Sequence, residues 1–309
     1  MKYLFASAAA LAVAGPACAQ EFTLKPVAEA RLRYEHAQQD GLAEDESDAL
    51  TVRARAGLTA SSGGLSATMV GQGTLAIVDD YYDGLNGAAT RPIVADPQNV
   101  ALYIAQLQYR TSALTLTGGR QKIALDDERF VGNVAFRDNG QTFDAVRAEL
   151  TPLRGLKLDI AYAWSVRTIW GIDGVGARQQ AIGGDNLFAN LSYATPLGTI
   201  TGFAYLVDQD EAAVQAYRLS SQTYGLRLAG SHRLTPAAQI GYQLSYARQS
   251  DYHRNPNDYA ADYWLADLSL DVKGWKLNAG YEILGASKGA ALTSFQTPLA
   301  AQFDLTLRF

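Results

Sequence analysis

The chain has 309 residues and a formal net charge of −5, with 31 acidic against 26 basic side chains, so bulk charge gives it no attraction for nucleic acid. Its single cysteine, Cys18, excludes a disulfide framework. Beyond the first 19 residues no run of 18 apolar residues occurs, and no membrane-spanning helix is predicted.

Residues 1–19 read as a secretory signal peptide. Lys2 supplies the basic start, residues 4–14 the apolar stretch, and Ala17-Cys18-Ala19 the small-residue cleavage site. The remaining 20–309 are expected to form one domain, an exported chain without cross-links.

Periodicity sets the class of that domain. Segments such as "EARLRYEH", "NVALYIAQLQYR", "GLKLDIAYAWSVR", "QIGYQLSYARQ" and "GWKLNAGYEIL" alternate apolar with small or polar residues, the period of a strand. In chain order the predicted strands are 23–36, 48–60, 64–78, 99–110, 113–122, 140–151 and 155–167. They continue with 185–194, 198–209, 220–231, 237–249, 259–271, 274–285 and 302–309. Most runs have the length of a tilted strand crossing a bilayer, about 9–11 residues, rather than the about 5–6 of a globular strand. Gly71 and Gly73 weaken the third strand, and Gly118-Gly119 predicts a bulge in the fifth.

The connections alternate as well. Tight turns such as "SSGG", "TPLRG", "TPLG" and "VKG" interleave with long polar segments at 37–47, 79–98, 123–139, 168–184, 210–219, 250–258 and 286–300. Short periplasmic turns on one rim and long extracellular loops on the other define an outer-membrane barrel. The expectation is therefore an all-β, closed antiparallel transmembrane β-barrel of about 14 strands in the outer membrane of a Gram-negative bacterium. "QFDLTLRF" at the end, with Phe303, Leu305, Leu307 and Phe309 on one face, resembles the signal that hands such barrels to their insertion machinery. No partner chain is indicated, and a monomer is expected.

Lipid demands one apolar face per strand. Ala28, Ala30, Leu32 and Tyr34 then point outward on the first strand, with Glu29, Arg31, Arg33 and Glu35 inward. On the second, Val52, Ala54 and Ala56 point outward, with Arg53 and Arg55 inward. The opposite assignment would place each arginine in acyl chains at a cost of roughly 2–4 kcal/mol near the midplane. The same rule puts Lys157, Asp159, Arg167, Arg227, Asp267, Asp271, Lys276, Glu282 and Arg308 inside, and Tyr162, Trp164, Tyr193, Tyr242, Tyr246, Trp264, Trp275 and Tyr281 in outer girdles. Closure would join Arg308 to Arg31, Arg33, Arg53 and Arg55 in one wall. Two uses of that wall stand open: an anion pathway, or an ion-pair network neutralised by Glu29, Glu35 and Asp304.

The segment 118–149, "GGRQKIALDDERFVGNVAFRDNGQTFDAVRAE", resembles the signature of the alginate export family of outer-membrane porins, and "SFQTPLA" at 294–300 resembles a second motif of that family. The resemblance implies a channel for anionic or carbohydrate solutes, with Arg120, Lys122, Arg129 and Arg137 at the extracellular mouth and Asp126-Asp127 tying the loop down. Members are typically larger, with roughly 18 strands, whereas here "SFQTPLA" runs almost directly into the terminal strand. The shortened barrel argues against export of a polymer.

Motifs that carry chemistry are few. "GIDGVG" at 171–176 has the wrong spacing for a nucleotide loop, His36, His232 and His253 are scattered, and "EDESD" at 44–48 lacks calcium-loop spacing. No enzyme, cofactor or metal is predicted. The expected function is passive diffusion of small anionic or sugar-acid (uronate-like) solutes. The alternative is a closed structural or adhesion-type barrel whose loops bind an external partner.

Overall fold

A computed structural model describes residues 21–287 and 289–301. Thirteen strands follow one another in the chain: β1 Phe22–Gln38, β2 Glu46–Ser62, β3 Leu65–Asp80, β4 Asn99–Arg110, β5 Leu114–Gln121, β6 Thr142–Leu153 and β7 Leu156–Arg167. The rest are β8 Ala181–Thr195, β9 Gly198–Val207, β10 Ser221–Thr235, β11 Ala238–Asp251, β12 Ala260–Val272 and β13 Trp275–Leu284. They form a single sheet in sequence order, with every neighbouring pair antiparallel. Among the described residues no ladder joins β1 to β13. The expected fourteenth strand, with Arg308 and Phe309, lies outside the described residues, as does the leader with Cys18. No described helix is long and apolar enough to cross a membrane.

The period-two pattern sorts the side chains as polarity requires. On β1, Leu32 and Tyr34 are 65% and 64% exposed, while on the inner face of β2 Arg53 and Arg55 are 4% and 8% exposed. Leu102, Leu107, Val146, Leu191, Leu226, Leu244 and Leu268 extend the outer apolar surface along the sheet. Of the expected girdle aromatics, Tyr162, Trp164, Tyr193, Trp264, Trp275 and Tyr281 are exposed. Tyr242 and Tyr246 are half-buried, the first donating to Leu197 O and the second to Asp262 at 2.9 Å. Tyr162 likewise donates to Asp185 and Tyr34 to Asp48, so hydroxyls and carboxylates meet on the outer face beside the long loops.

Glycine acts differently from expectation in two strands. The ladders of β5 run through Gly118 and Gly119 without a register shift, whereas opposite Val70 and Gly71 of β3 the ladder shifts, Val70 facing Ile104 and Gly71 facing Leu102 with Tyr103 of β4 as the extra residue. Gly119 is needed for another reason. Its φ is +110°, and a Cβ there would sit 2.3 Å from Ala105 O.

The largest departure from the expected layout is the connection between β5 and β6. Its polarity predicts an extracellular loop, but it folds onto the inner face of the sheet. Ile123, Leu125 and Val131 are buried with Phe143, Phe188, Phe203, Tyr205, Tyr263, Phe295 and Leu299. The Phe130 ring lies 5.1–5.9 Å from those of Phe203, Tyr205, Tyr263 and Phe295. Residues 294–301 join the same body: Val131 and Leu299 form a parallel bridge, Gly132 N donates to Leu299 O at 2.9 Å, and Ala301 N donates to Glu128 O at 2.9 Å. The two segments that stand out in the sequence are thus the two halves of one inner plug.

Candidate solute pathway along the inner face

The arginines of β1 and β2 are placed by strand register. Arg31 faces Arg53, a like-charge pair that requires partners from elsewhere, while Glu29 faces Arg55 with opposite charge. The plug and its neighbours supply them. Arg31 donates to the carbonyls of Ala135 at 3.1 Å, Phe136 at 2.6 Å and Arg137 at 3.5 Å. Arg53 donates to Arg137 O at 3.2 Å and pairs with Glu29. Arg55 donates to Gln72 at 2.7 Å, lies 3.4 Å from Glu29 and stacks 3.8 Å from the Tyr103 ring centre. Arg33 pairs with Glu35 and Asp96, and Arg137 shares both carboxylates. This wall grips the plug and consumes its own carboxylates, which is the ion-pair alternative in geometric form. The Arg308 end of the wall lies outside the described residues.

The far side of the plug is tied just as firmly. Asp126 accepts from Asn190 at 2.8 Å and Tyr205 at 3.2 Å, and lies 3.3 Å from Arg227. Asp127 accepts from Gln243 and lies 3.7 Å from Arg227. Burial pushes the Asp126 carboxyl above its ordinary value, with Arg227 opposing. Arg129 pairs with Glu282 of β13 at 2.6 Å, and Tyr263 donates to the same carboxylate at 2.7 Å. The mouth position expected for Arg129 and Arg137 is therefore replaced by one on the inner face, because the loop's apolar side chains draw it inward. Lys122 lies 5.2 Å from the Tyr103 ring centre.

Arg120 occupies a different setting. It meets Asp144 through two bonds of 2.7 and 2.9 Å, and Arg167 meets the same carboxylate at 3.2 Å. Two guanidinium groups thus share one carboxylate at the wall of a polar cavity of about 150 Å³, also lined by Gln72, Asn99, Asn139 and Gln180. A second cavity of about 270 Å³ adjoins it, Thr168 lining both. Lys157 lies toward the short-turn end, 3.0 Å from Glu149, in a group where Arg147 binds Asp159 through bonds of 2.8 and 2.7 Å.

Several of these residues carry no sequence signal strong enough to single them out. Asp96, Asp144 and Asn139 act through partners far away in the chain, and Arg147 through Asp159 on the next strand. Asn139 Oδ1 accepts from Gln72 at 3.0 Å and Asn99 at 3.2 Å. The plug itself does leave a trace: Ile123, Leu125, Phe130, Val131, Val134 and Phe136 are too apolar for a solvated loop.

A continuous antiparallel sheet with an apolar outer face, a charged inner face and an inward loop is the fold of Gram-negative outer-membrane porins. In solved structures the chain resembles a BenF-like porin from Pseudomonas fluorescens Pf-5, with TM-score 0.64 and 12% identity over 85% of this chain and 67% of that one. It also resembles Pseudomonas aeruginosa OccK2 (OpdF) in complex with glucuronate, with TM-score 0.60 and 14% identity over 84% and 64%. For P. aeruginosa OccD3 (OpdP) the TM-score is 0.59 and the identity 13%, over 84% and 57%. The chain thus spans less than two thirds of OccD3 and OccK2. No family model and no curated protein matches it. These findings overturn the resemblance to the alginate export family: the porins it resembles in structure are of the Occ and Opd group, and the two segments that carried the resemblance are accounted for by packing on each other.

Proposed function

We propose that the chain is a monomeric outer-membrane channel for passive movement of small hydrophilic solutes, with sugar acids of the uronate type as the favoured class. The observation that carries this reading is the Arg120–Asp144–Arg167 group: two guanidiniums against one carboxylate leave one positive charge at a polar cavity on the inner face. The glucuronate bound to OccK2, a protein of similar fold, is consistent with that class. In this reading residues 302–309 supply a fourteenth strand that closes the barrel between β13 and β1, and residues 1–19 direct export. Arg31, Arg33, Arg53, Arg55 and Arg137 hold the plug, while Arg120 and Arg167 face the solute.

The test is a planar-bilayer recording with a gradient of sodium glucuronate. Anion preference is expected, and the double substitution Arg120→Gln, Arg167→Gln should abolish it. Cation preference in the wild type, or selectivity unmoved by the double substitution, would refute the anionic class. A second reading, a closed barrel whose loops bind an external partner, is favoured by the engagement of the β1–β2 arginines with carboxylates and plug carbonyls and by the inward plug. Absence of any conductance in a correctly inserted protein would select it.

A further inference from the structure

The cavity of about 270 Å³ at the long-loop end of the inner face differs in chemistry from the polar one beside it. Its walls come from five stretches: Val134 and Gln141 of the plug, Val166 to Ala177 at and after the end of β7, Ile182 of β8, Gln209 to Leu219 after β9, and Pro298 to Ala300. Most of the lining is apolar, with the Trp170 ring and Ile169, Val214 and Leu299 among it, and no lining residue is ionisable. Gln141 is already engaged, its Nε2 donating to Gly132 O at 2.8 Å and Leu299 O at 3.3 Å. Gln209 is not. It is 3% exposed, and its Oε1 has no hydrogen-bond partner among the described residues.

From these two observations we infer that the cavity binds an uncharged, ring-sized molecule carrying one hydrogen-bond donor, of the phenol class. An apolar wall with a few placed polar groups is the usual composition of a small-molecule site. A carboxylate entering it would leave water with no cation in the lining to receive it, whereas a neutral ring gains from burial against Trp170 and Ile169. A single O–H on that ring would supply the donor that Gln209 Oε1 lacks, since a buried acceptor without a partner is costly. The inference goes beyond the channel reading and does not depend on it: the site exists whether or not the barrel conducts.

Trp170 is the reporter. Of the four tryptophans, Trp164, Trp264 and Trp275 are replaced by Phe in the full chain, and Trp170 emission is titrated with phenol, toluene and benzoate. Phenol should give a saturable change, with toluene about fivefold weaker for want of the donor, and benzoate weaker than phenol. Gln209→Leu should erase the preference for phenol over toluene. Val214→Phe, or Ile169→Phe should the first variant fail to insert, should fill the cavity and remove the saturable signal. Benzoate equal to or tighter than phenol would overturn the uncharged class. A phenol signal that survives both filling variants would overturn the site. A protein that conducts glucuronate without binding phenol leaves the channel reading intact and refutes this one, and the reverse result does the opposite.

Discussion

Arg147 and Asp126 show how differently two charged residues can serve the same inner face. Arg147 grips Asp159 with both arms of its guanidinium, and Asp159 is 6% exposed, so Arg147→Ala strands a buried carboxylate. Lys157, 3.5 Å from Asp159, offers partial compensation, which places the expected loss at about 3 kcal/mol, the lower end of the range for a broken buried pair. Denaturant unfolding in detergent would measure it, and adding Asp159→Asn to Arg147→Ala should recover part of the loss. Asp126 behaves in the opposite sense. Burial raises its carboxyl above the ordinary 3.8, so the docked plug binds that proton more tightly than the undocked one. Its contribution therefore improves as pH falls through the raised value toward 3.8 and worsens as pH rises again. Asp126→Asn should stabilise the plug relative to wild type at neutral pH, with the difference shrinking on acidification. A difference that grows toward acid would show that the Arg227 pair outweighs burial.

At the scale of elements, the plug is held by backbone as well as by charge, and Gly132 is where the fit is tightest. A Cβ there would lie 2.3 Å from the Ala301 Cβ and 2.8 Å from the Glu128 Cβ. Gly132→Val should unseat 128–134 from 299–301, seen as faster proteolysis within 122–141 while the folded sheet keeps its resistance to detergent. Unchanged protease resistance would mean that the Val131–Leu299 bridge is dispensable. The strands themselves are legible in the amino-acid pattern alone. The thirteen observed begin and end close to the predicted limits, because a polar–apolar alternation can satisfy lipid on one side only in a single register. The plug is less legible, since a loop's direction depends on what its apolar residues find. Phe130 has meaning only once Phe203, Tyr205, Tyr263 and Phe295 are brought to one place. The apolar doublets of β9, with Phe203 and Tyr205 on one face and Ala204 and Leu206 on the other, are the available hint that part of the inner face is not wet. The guanidinium group at Asp144 is invisible in the sequence for a simpler reason: its three members come from β5, β6 and β7, and only Arg120 and Arg167 look unusual alone.

For the molecule as a whole, the plug divides the inner face into two unlike halves. Toward β6–β12 it presents Ile123, Leu125, Phe130 and Val131 to a buried aromatic wall, beside the Asp126 and Asp127 carboxylates held by Asn190, Arg227 and Gln243. Toward β1–β5 it presents backbone carbonyls and side chains to Arg31, Arg53, Gln72 and Asn99. In the proposed channel, water and polar solutes are expected to follow the second side, because packing against the aromatic wall would strip them of hydration without replacing it. Permeation and stability should then separate between the halves. Gln180→Trp, at the polar cavity, is expected to lower single-channel conductance severalfold with little effect on unfolding. Phe188→Ala, fully buried on the aromatic side, should cost about 3–5 kcal/mol and leave the conductance of the folded channel as it was. If Phe188→Ala instead raised conductance while Gln180→Trp left it unchanged, the solute would have to pass through the aromatic side, and the polar cavity with Arg120 and Arg167 would be a brace rather than a path.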